Sequence, residues 1–523
     1  MISRLGVEDR QYNNAYAVRK QQQDSKQNPA FKGGLWGAAL GCIQACERNP
    51  MINVTVIDLL SAILPRTFVE SLTNWFAGFE ALRRESSGLI VNCLIPSIVA
   101  LGFAVELNKF VMPKGSNMAG CWADSTLIEK AKDIYSNSKA DDKIFDSFKE
   151  ILKGIEGTDG KKHVKFSDTN VLSEAEINDY AKKLQELSTS NKSRKEFNKE
   201  TKEITKEIAE KTHVFEGINI GGVKASTTKT LLEDSTKFFQ EFQKAEKGTT
   251  IADFAKKSKK LVKLKSGLAL ATILPLAASM QYINRWITEK YSGVKGAPIY
   301  DDFGKDQDES IREKAKEGLL KQKIISISSM VGVALLSIMK VPSLSTIKNM
   351  LEFKGIFPTM DQARIISTTT FASRMAAADD KNELAEATVR DIATFSSMYF
   401  LGDYVAKATA TAIEKKTGTV LLNDTKPLKG NENGLEKFWH WVKDVNLKSS
   451  EEVVGKKAVN LRSACQAANL GVSLLLLGLV IPIFTRKNTQ KKHAEAIKTA
   501  HENSSGTNYD DRKNDKISLS TAA

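Results

Sequence analysis

Residues 467–484 read AANLGVSLLLLGLVIPIF, and this stretch decides the fold class of the chain. Its eighteen residues carry no charge, and a basic group that begins with Arg486 and Lys487 follows it. At about 1.5 Å of rise per residue, an α-helix of this length spans roughly 27 Å, close to the roughly 30 Å hydrocarbon core of a bilayer. The stretch therefore predicts a helix that spans a membrane.

Three shorter apolar runs indicate further spans, at residues 88–105, 267–283 and 324–339. The last run has only sixteen residues, so it predicts either a short span whose flanking lysines reach the interface or a buried core helix. Four spans predict that both termini lie on one side of the membrane. An additional span near residues 392–413 would make the number odd, and this alternative stays open.

The composition of the chain limits how much of it lies in a membrane. Its 523 residues have a mean hydropathy of −0.28 and 26% of them are charged, so a few spans must alternate with large water-facing parts. The net charge of +14 suits either anionic lipid headgroups or nucleic acid. Residues 195–211, KEFNKETKEITKEIAEK, interleave lysine with glutamate, which is typical of a solvated helix face. We therefore expect a lipid bilayer, including anionic lipids, as the partner and no nucleic acid.

These patterns predict a mostly α-helical, multi-pass membrane bundle with a soluble insertion. The insertion shows helical stripes such as Ile144 and Phe148, a capping box at Ser173 and Glu176, and short β-prone pieces. It predicts a helical bundle or an antiparallel coiled-coil hairpin that offers a surface to a protein partner, and the β-prone pieces, 163–166 and 214–223, favour pairing in a small sheet. The predicted organisation is a disordered tail at 1–32, interfacial helices and a first span at 33–105, the insertion at 106–266, a membrane region at 267–487, and a disordered tail at 488–523.

One helix, predicted over residues 380–415, supplies the candidate polar site. Four charged residues, Arg390, Asp391, Asp403 and Lys407, interrupt its apolar middle, and the last two stand one helical turn apart and could pair. If the helix lies inside the bundle, these charges form a functional polar site. If it lies on a surface, they form an ordinary solvated face.

Motifs of catalysis and cofactor binding are absent from the sequence. The five cysteines lack the spacing of a disulfide framework or a zinc site, and the five histidines include no HExxH pattern. The glycine-rich residues 217–226 lack the lysine that must directly follow the last glycine of a phosphate-binding loop. We expect no catalytic residue, no metal and no cofactor, which favours a non-enzymatic role.

Prolines recur after two aliphatic residues, at Pro65, Pro96, Pro275 and Pro482. Proline removes a backbone donor and kinks a helix, which neighbouring membrane helices can compensate. Interrupted apolar segments of this kind also occur at the binding sites of transporters. Both interpretations stay open.

A short aromatic segment follows, at residues 428–443, LKGNENGLEKFWHWVK. Phe438, Trp439 and Trp441, with Lys437 and Lys443 beside them, suit an anchor in the membrane interface on the side opposite the C-terminus. The same aromatics could instead cap a soluble core.

Three stretches carry a resemblance to a known group of proteins. They are Asn28-Pro29-Ala30-Phe31-Lys32-Gly33, residues 357–407, and the pattern Leu-Gly-x-x-Ile-Pro-x-x-x-x-Lys at 477–487. Together they resemble an uncharacterised bacterial multi-pass membrane family with an N-terminal Asn-Pro-x-Phe-Lys-Gly tag. The resemblance implies a bacterial protein of the cell membrane and brings no known activity. We expect a membrane scaffold or partner-binding protein, with a transporter or channel component, or a soluble or peripheral helical protein, as alternatives.

Overall fold

A computed structural model describes most of the chain and confirms the predicted mostly α-helical fold. The two predicted tails lie largely outside the described residues. The structure describes residues 35–499 except 160–161, 169–170, 191, 213–215, 221–222, 301–302, 304–315, 339–350, 356, 425–427, 429, 431, 449–452 and 454.

The elements follow the chain in three groups. The first group is α1 Leu35–Arg48, α2 Pro50–Ser71 and α3 Trp75–Val111. The second group is α4 Ser125–Asn137, α5 Lys143–Lys153, β1 Ile155–Asp159, β2 Lys162–Lys165, α6 Glu174–Thr189, α7 Arg194–Thr212, β3 Glu216–Ile220, β4 Val223–Thr227 and α8 Thr228–Gln243. The third group is α9 Ile251–Ser292, α10 Leu319–Ile338, α11 Met360–Ala377, α12 over 381–417, β5 Leu422–Asp424, α13 Gly434–Lys443, β6 Val445–Leu447 and α14 Lys457–Thr499.

Seven long helices (α2, α3, α9, α10, α11, α12 and α14) pack side by side and run alternately up and down. At one end, Asn74 Nδ2 donates to the carbonyls of Pro298, at 2.8 Å, and Tyr300, at 3.1 Å. The Tyr300 hydroxyl donates to Asp380 at 2.8 Å. The turn after α2, the loop after α9 and the turn before α12 therefore meet there, and we call this the far end of the bundle.

Residues 112–250 form a separate domain at the opposite end, called the domain end of the bundle. Its core includes Phe148, Leu184 and Phe239, and it continues into the first turns of α9 at Phe254 and Leu261. The strand order is β2-β1-β3-β4, so β1 lies between the two segments that were predicted to be β-prone. The predicted capping box at the start of α6 is confirmed.

In the part of the chain that the structure describes, five helices are long and apolar enough to cross a membrane: α2, α3, α9, α10 and α14. Four of them contain the predicted spans. The fifth, α2, lies in the segment that was predicted to form interfacial helices. Because the bundle helices alternate in direction, residue 50 lies at the domain end of the bundle and residue 499 at the far end. This differs from the four predicted spans, which would place both termini on one side of the membrane.

The C-terminal helix continues further than the sequence indicated. Helix α14 ends at Thr499, so residues 488–499 are helical where a disordered tail was predicted. The ring of His493 stacks on that of Tyr300 with centroids 3.9 Å apart. This contact fixes the last turns of α14 to the far end.

Short π-helical segments interrupt four of the long helices, and three of these segments precede a proline. They cover Asp58–Ile63, Ile90–Leu94 and Leu474–Val480, and the prolines are Pro65, Pro96 and Pro482. In each case the amide before the proline donates to the carbonyl five residues earlier. A proline ring clashes with the carbonyl four residues before it, and the wider π turn moves that carbonyl away.

The fourth π segment, Ser397–Leu401 in α12, precedes Gly402 instead of a proline. A Cβ atom on Gly402 would lie 2.5 Å from Asn469 Oδ1 of α14 and 2.8 Å from the Ser397 carbonyl oxygen. Only glycine allows α12 and α14 to approach each other this closely.

Candidate functional site

A cluster of buried ion pairs fills the bundle near its far end. We call it the ion cluster, and it consists of Arg66, Glu70, Glu80, Arg84, Glu85, Arg285, Arg374, Asp379, Glu383, Glu386, Arg390, Asp391 and Arg486. Except for Asp379 and Glu383, each of these side chains is less than 10% exposed. Lys, Arg, Asp and Glu are almost never this buried unless they are paired.

Helical spacing explains how the sequence assembles this cluster. Arg66 and Glu70 stand four residues apart on α2, as do Glu80 and Arg84 on α3, so each pair shares one helix face. Helices α9, α11, α12 and α14 add the other members from their parts near the far end. The cluster therefore joins six of the seven bundle helices.

Glu85 occupies the centre of the cluster. Its carboxylate lies 3.1 Å from Arg84 Nε, 3.2 Å from Arg374 Nη2 and 3.5 Å from Arg66 Nη1. Arg374 also lies 3.3 Å from Asp391, which has no exposed surface. One carboxylate thus compensates three buried guanidinium groups on three helices.

Arg66 links the cluster to a π segment. Its Nε donates to the carbonyl of Leu477 at 3.4 Å, and its Nη2 donates to the Thr394 hydroxyl. The Leu477 carbonyl lies five residues before Pro482, which has no N–H group to donate to it. Arg66 therefore satisfies the carbonyl that the proline leaves without a backbone partner.

Helix α14 joins the cluster through Arg486. Its Nη2 lies 3.2 Å from Glu70 and 3.1 Å from Glu386, and its Nη1 donates to the Ile299 carbonyl at 2.6 Å. On the other flank, Arg285 of α9 pairs with Glu383 at 2.5 Å and with Asp379. The two arginines connect the C-terminal halves of α9 and α14 to the start of α12.

A small cavity lies within the cluster. Its volume is about 20 Å³, which holds a single water molecule. Three oxygens of lining residues accept no hydrogen bond from the described residues: Glu80 Oε2, Glu386 Oε2 and Gln281 Oε1. The cavity is too small for an organic ligand, so in this conformation the cluster is chiefly a set of ion pairs that holds helices together.

The structure separates the four residues that the sequence singled out. Arg390 and Asp391 belong to the ion cluster, and Arg390 Nη1 lies 3.5 Å from Glu70. Asp403 is exposed, and within the described part of the chain it forms no ion pair with Lys407. The structure therefore places two of the four residues at one site and the other two nearer the domain end.

Lys407 lies in an aromatic environment. Its ammonium group lies 4.5 Å from the centre of the Trp441 ring and donates to the Val442 carbonyl at 3.2 Å. Lys407 connects α12 to the short helix α13.

Most members of the ion cluster were missed from the sequence. Arg66, Glu70, Glu80 and Arg84 lie in a segment that was interpreted as an interfacial helix pair. The i,i+4 spacing of opposite charges, set against apolar residues on the other face, is the signal that could have indicated a shared buried face.

The outer surface of the bundle is rich in apolar side chains. Its exposed residues include many large apolar side chains: Phe68, Leu72, Trp75, Phe76, Ile98, Phe110, Ile283, Trp286, Ile324, Leu335, Leu336, Leu475, Leu479, Ile483 and Phe484. Soluble monomers rarely expose contiguous apolar patches larger than a few hundred Å², and larger ones mark surfaces that contact a membrane or another protein. The bundle therefore buries paired charges near its far end, beside apolar cores that include Phe371 and Phe395, and exposes large apolar side chains on its outer surface.

Among the described residues, no group of three or more His, Cys, Asp or Glu side chains is arranged to hold a metal ion. No protein family, no curated protein and no solved structure matches this chain. The fold and the site alone therefore define the class: an all-α protein whose described residues include five helices that could cross a membrane, in a bundle that contains a buried ion cluster.

Proposed function

We propose that this chain is a multi-pass integral membrane protein of a bacterial cell membrane, and that it acts without catalysis as a scaffold. In this proposal the bundle is embedded in the bilayer, and the domain at 112–250 stands at the membrane surface and binds a protein partner. The single observation that carries the proposal is that the bundle pairs its buried charges inside while many large apolar side chains are exposed on its outer surface.

A bilayer favours this arrangement for a physical reason. In hydrocarbon, apolar side chains on the outside cost nothing, and ionisable groups must turn to the bundle interior and pair with one another. Helix α10 supports this point, because only 11% of the residues in its most apolar stretch are buried against the rest of the protein. If the protein were soluble, that helix would expose most of its apolar residues to water.

The scaffold role is supported by the way the domain is attached. Helix α9 is a single helix of 42 residues, about 63 Å long, which begins in the domain core and ends in the ion cluster. A second contact comes from the segment before α11. There the Glu352 carboxylate accepts from the Ser125 amide at 2.8 Å, and Lys354 pairs with Asp124 at 2.7 Å. Two attachments fix the domain relative to the bundle.

Membrane insertion is tested by alkaline carbonate extraction followed by flotation. We expect the protein to stay with the membranes after the wash and to float with lipid. Release into the supernatant would contradict the proposal, because a peripheral protein held by charge is released by this treatment.

The partner role is tested by photo-crosslinking in intact membranes. The exposed face of α7 carries alternating charges, and photoreactive residues at Lys199 and Lys206 would lie on it. We expect a discrete protein adduct from these positions, and only lipid adducts from the control position Leu336, which is 74% exposed on α10. If the α7 positions give no protein adduct, the scaffold role is wrong even if the protein is embedded.

A transporter or channel component is the second candidate, and the cavity in the ion cluster favours it. Three buried oxygens without a hydrogen-bond partner among the described residues line a cavity that holds one water molecule, and buried carboxylates beside water are typical of proton-transfer pathways in membrane proteins. In proteoliposomes with an imposed pH gradient, this alternative predicts a proton flux that Glu386→Gln abolishes. A flux equal to that of empty liposomes would refute it.

A further inference from the structure

Helix α13 is built as an independent unit at the domain end of the bundle. Asn433 caps it by accepting from the Glu436 amide at 2.9 Å, and Glu436 accepts from the Asn433 amide at 2.9 Å. The two ends of the segment are joined by the pairing of β5 with β6. The helix has ten residues, none of which is buried.

One face of α13 is fixed to the bundle. Trp441 Nε1 donates to the Thr411 hydroxyl at 3.0 Å, and Lys407 contacts both the Trp441 ring and the Val442 carbonyl. His440 Nε2 lies 3.0 Å from Asp424 Oδ1 of β5. These contacts set the direction in which the opposite face points.

The opposite face is apolar and has no partner within the described chain. Leu435, Phe438 and Trp439, at i, i+3 and i+4, are 66%, 55% and 48% exposed. Lys437 and Lys443 are exposed on the same helix, and the Lys443 ammonium lies 5.3 Å from the Trp439 ring centre. Aromatic side chains flanked by lysines are typical of helices that lie at the boundary between headgroups and acyl chains.

We propose that α13 is an interfacial anchor whose Leu435, Phe438 and Trp439 enter the outer part of the bilayer while Lys437 and Lys443 contact lipid phosphates. This inference rests on the proposed membrane insertion of the bundle. Charge complementarity favours lipid over a second protein, because α13 exposes two lysines against one acidic residue, Glu436, whose carboxylate accepts from the Asn433 amide at the start of the helix. The anchor would hold the domain end of α12 at a fixed depth.

The test is quenching of tryptophan fluorescence in liposomes that contain lipids brominated near the headgroup. Trp439 and Trp441 form a matched pair, since they lie two residues apart on opposite faces of the same helix. We expect Trp439→Phe to lower the quenched fraction of the fluorescence and Trp441→Phe to leave it unchanged or raise it. Lipids brominated near the end of the acyl chains should quench Trp439 less than the shallow bromines do.

The outcomes separate this inference from the function on which it rests. If Trp439→Phe leaves the quenched fraction unchanged while the other tryptophans are quenched, the bundle is embedded and the anchor is refuted. If shallow and deep bromines quench no tryptophan at all, membrane insertion itself is wrong. Circular dichroism and the melting temperature of each variant check that it folds.

Discussion

Neutralising Glu85 is the sharpest test of the role of the ion cluster. Glu85→Gln keeps the size and shape of the side chain and removes only its charge. Three buried arginines then lose their shared carboxylate. Arg84 keeps Glu70 and Arg374 keeps Asp391, but Arg66 keeps no other ion-pair partner among the described residues.

Breaking a buried ion pair by removing one partner costs about 3–5 kcal/mol, because the remaining charge is left uncompensated in a low dielectric. At about 2–4 °C per kcal/mol, the melting temperature should fall by roughly 6–20 °C. The assay is thermal unfolding of the purified protein in detergent, with tryptophan fluorescence as the signal that reports unfolding.

A matched control lies on the same helix. Glu106 pairs with Lys109 at 2.9 Å, but both side chains are more than half exposed. An exposed pair of this kind is worth about 0.5 kcal/mol or less, so Glu106→Gln should shift the melting temperature by no more than about 2 °C. If the two variants melt within about 2 °C of each other, the ion cluster does not hold the bundle together and our account of it is wrong.

Three further predictions concern other parts of the molecule. Gly402→Ala forces a Cβ atom against Asn469 and should destabilise the protein by about 1–3 kcal/mol in thermal unfolding, whereas Gly471→Ala, where a Cβ meets nothing within 4 Å, should be neutral or mildly stabilising. Burial raises the pKa of Asp234 to about 7, so stability should fall as pH rises from 4 to 7. Asp234→Asn should therefore raise the melting temperature at pH 8, by an amount equivalent to about 1–4 kcal/mol, and leave it unchanged at pH 4; an equal shift at both values would refute this. Cys42 is the one exposed thiol of the five, so maleimide should label one cysteine in the native protein and five after denaturation, as counted by mass spectrometry.

The sequence predicted the helical fold because long uncharged runs and capping residues are local signals. Residues 467–484 lie within α14 and residues 267–283 within α9, as expected. The Ser173 capping box needs only residues three apart, and it is present in the structure. The prolines also marked real interruptions, because three of the four follow a π segment.

The ion cluster could not be predicted in the same way. Its contacts join residues far apart in sequence, such as Arg374 and Glu85, which are separated by 289 positions. A charged residue beside an apolar run gives the same sequence pattern whether its side chain faces lipid headgroups or the bundle interior, so the sequence does not distinguish the two. Arg390 and Asp391 could be recognised because they interrupt an apolar helix, whereas Arg486 was assigned to the basic flank of a span although it is buried.

Protease protection in sealed inverted membrane vesicles tests the central claim most directly. Epitope tags are placed at the N-terminus, after the exposed Lys247 of the domain, and at the C-terminus. The account predicts that the N-terminal and domain tags share one state, cleaved or protected, and that the C-terminal tag has the opposite state until detergent opens the vesicles. Cleavage of all three tags in intact vesicles, or one shared state for the two termini, would contradict it.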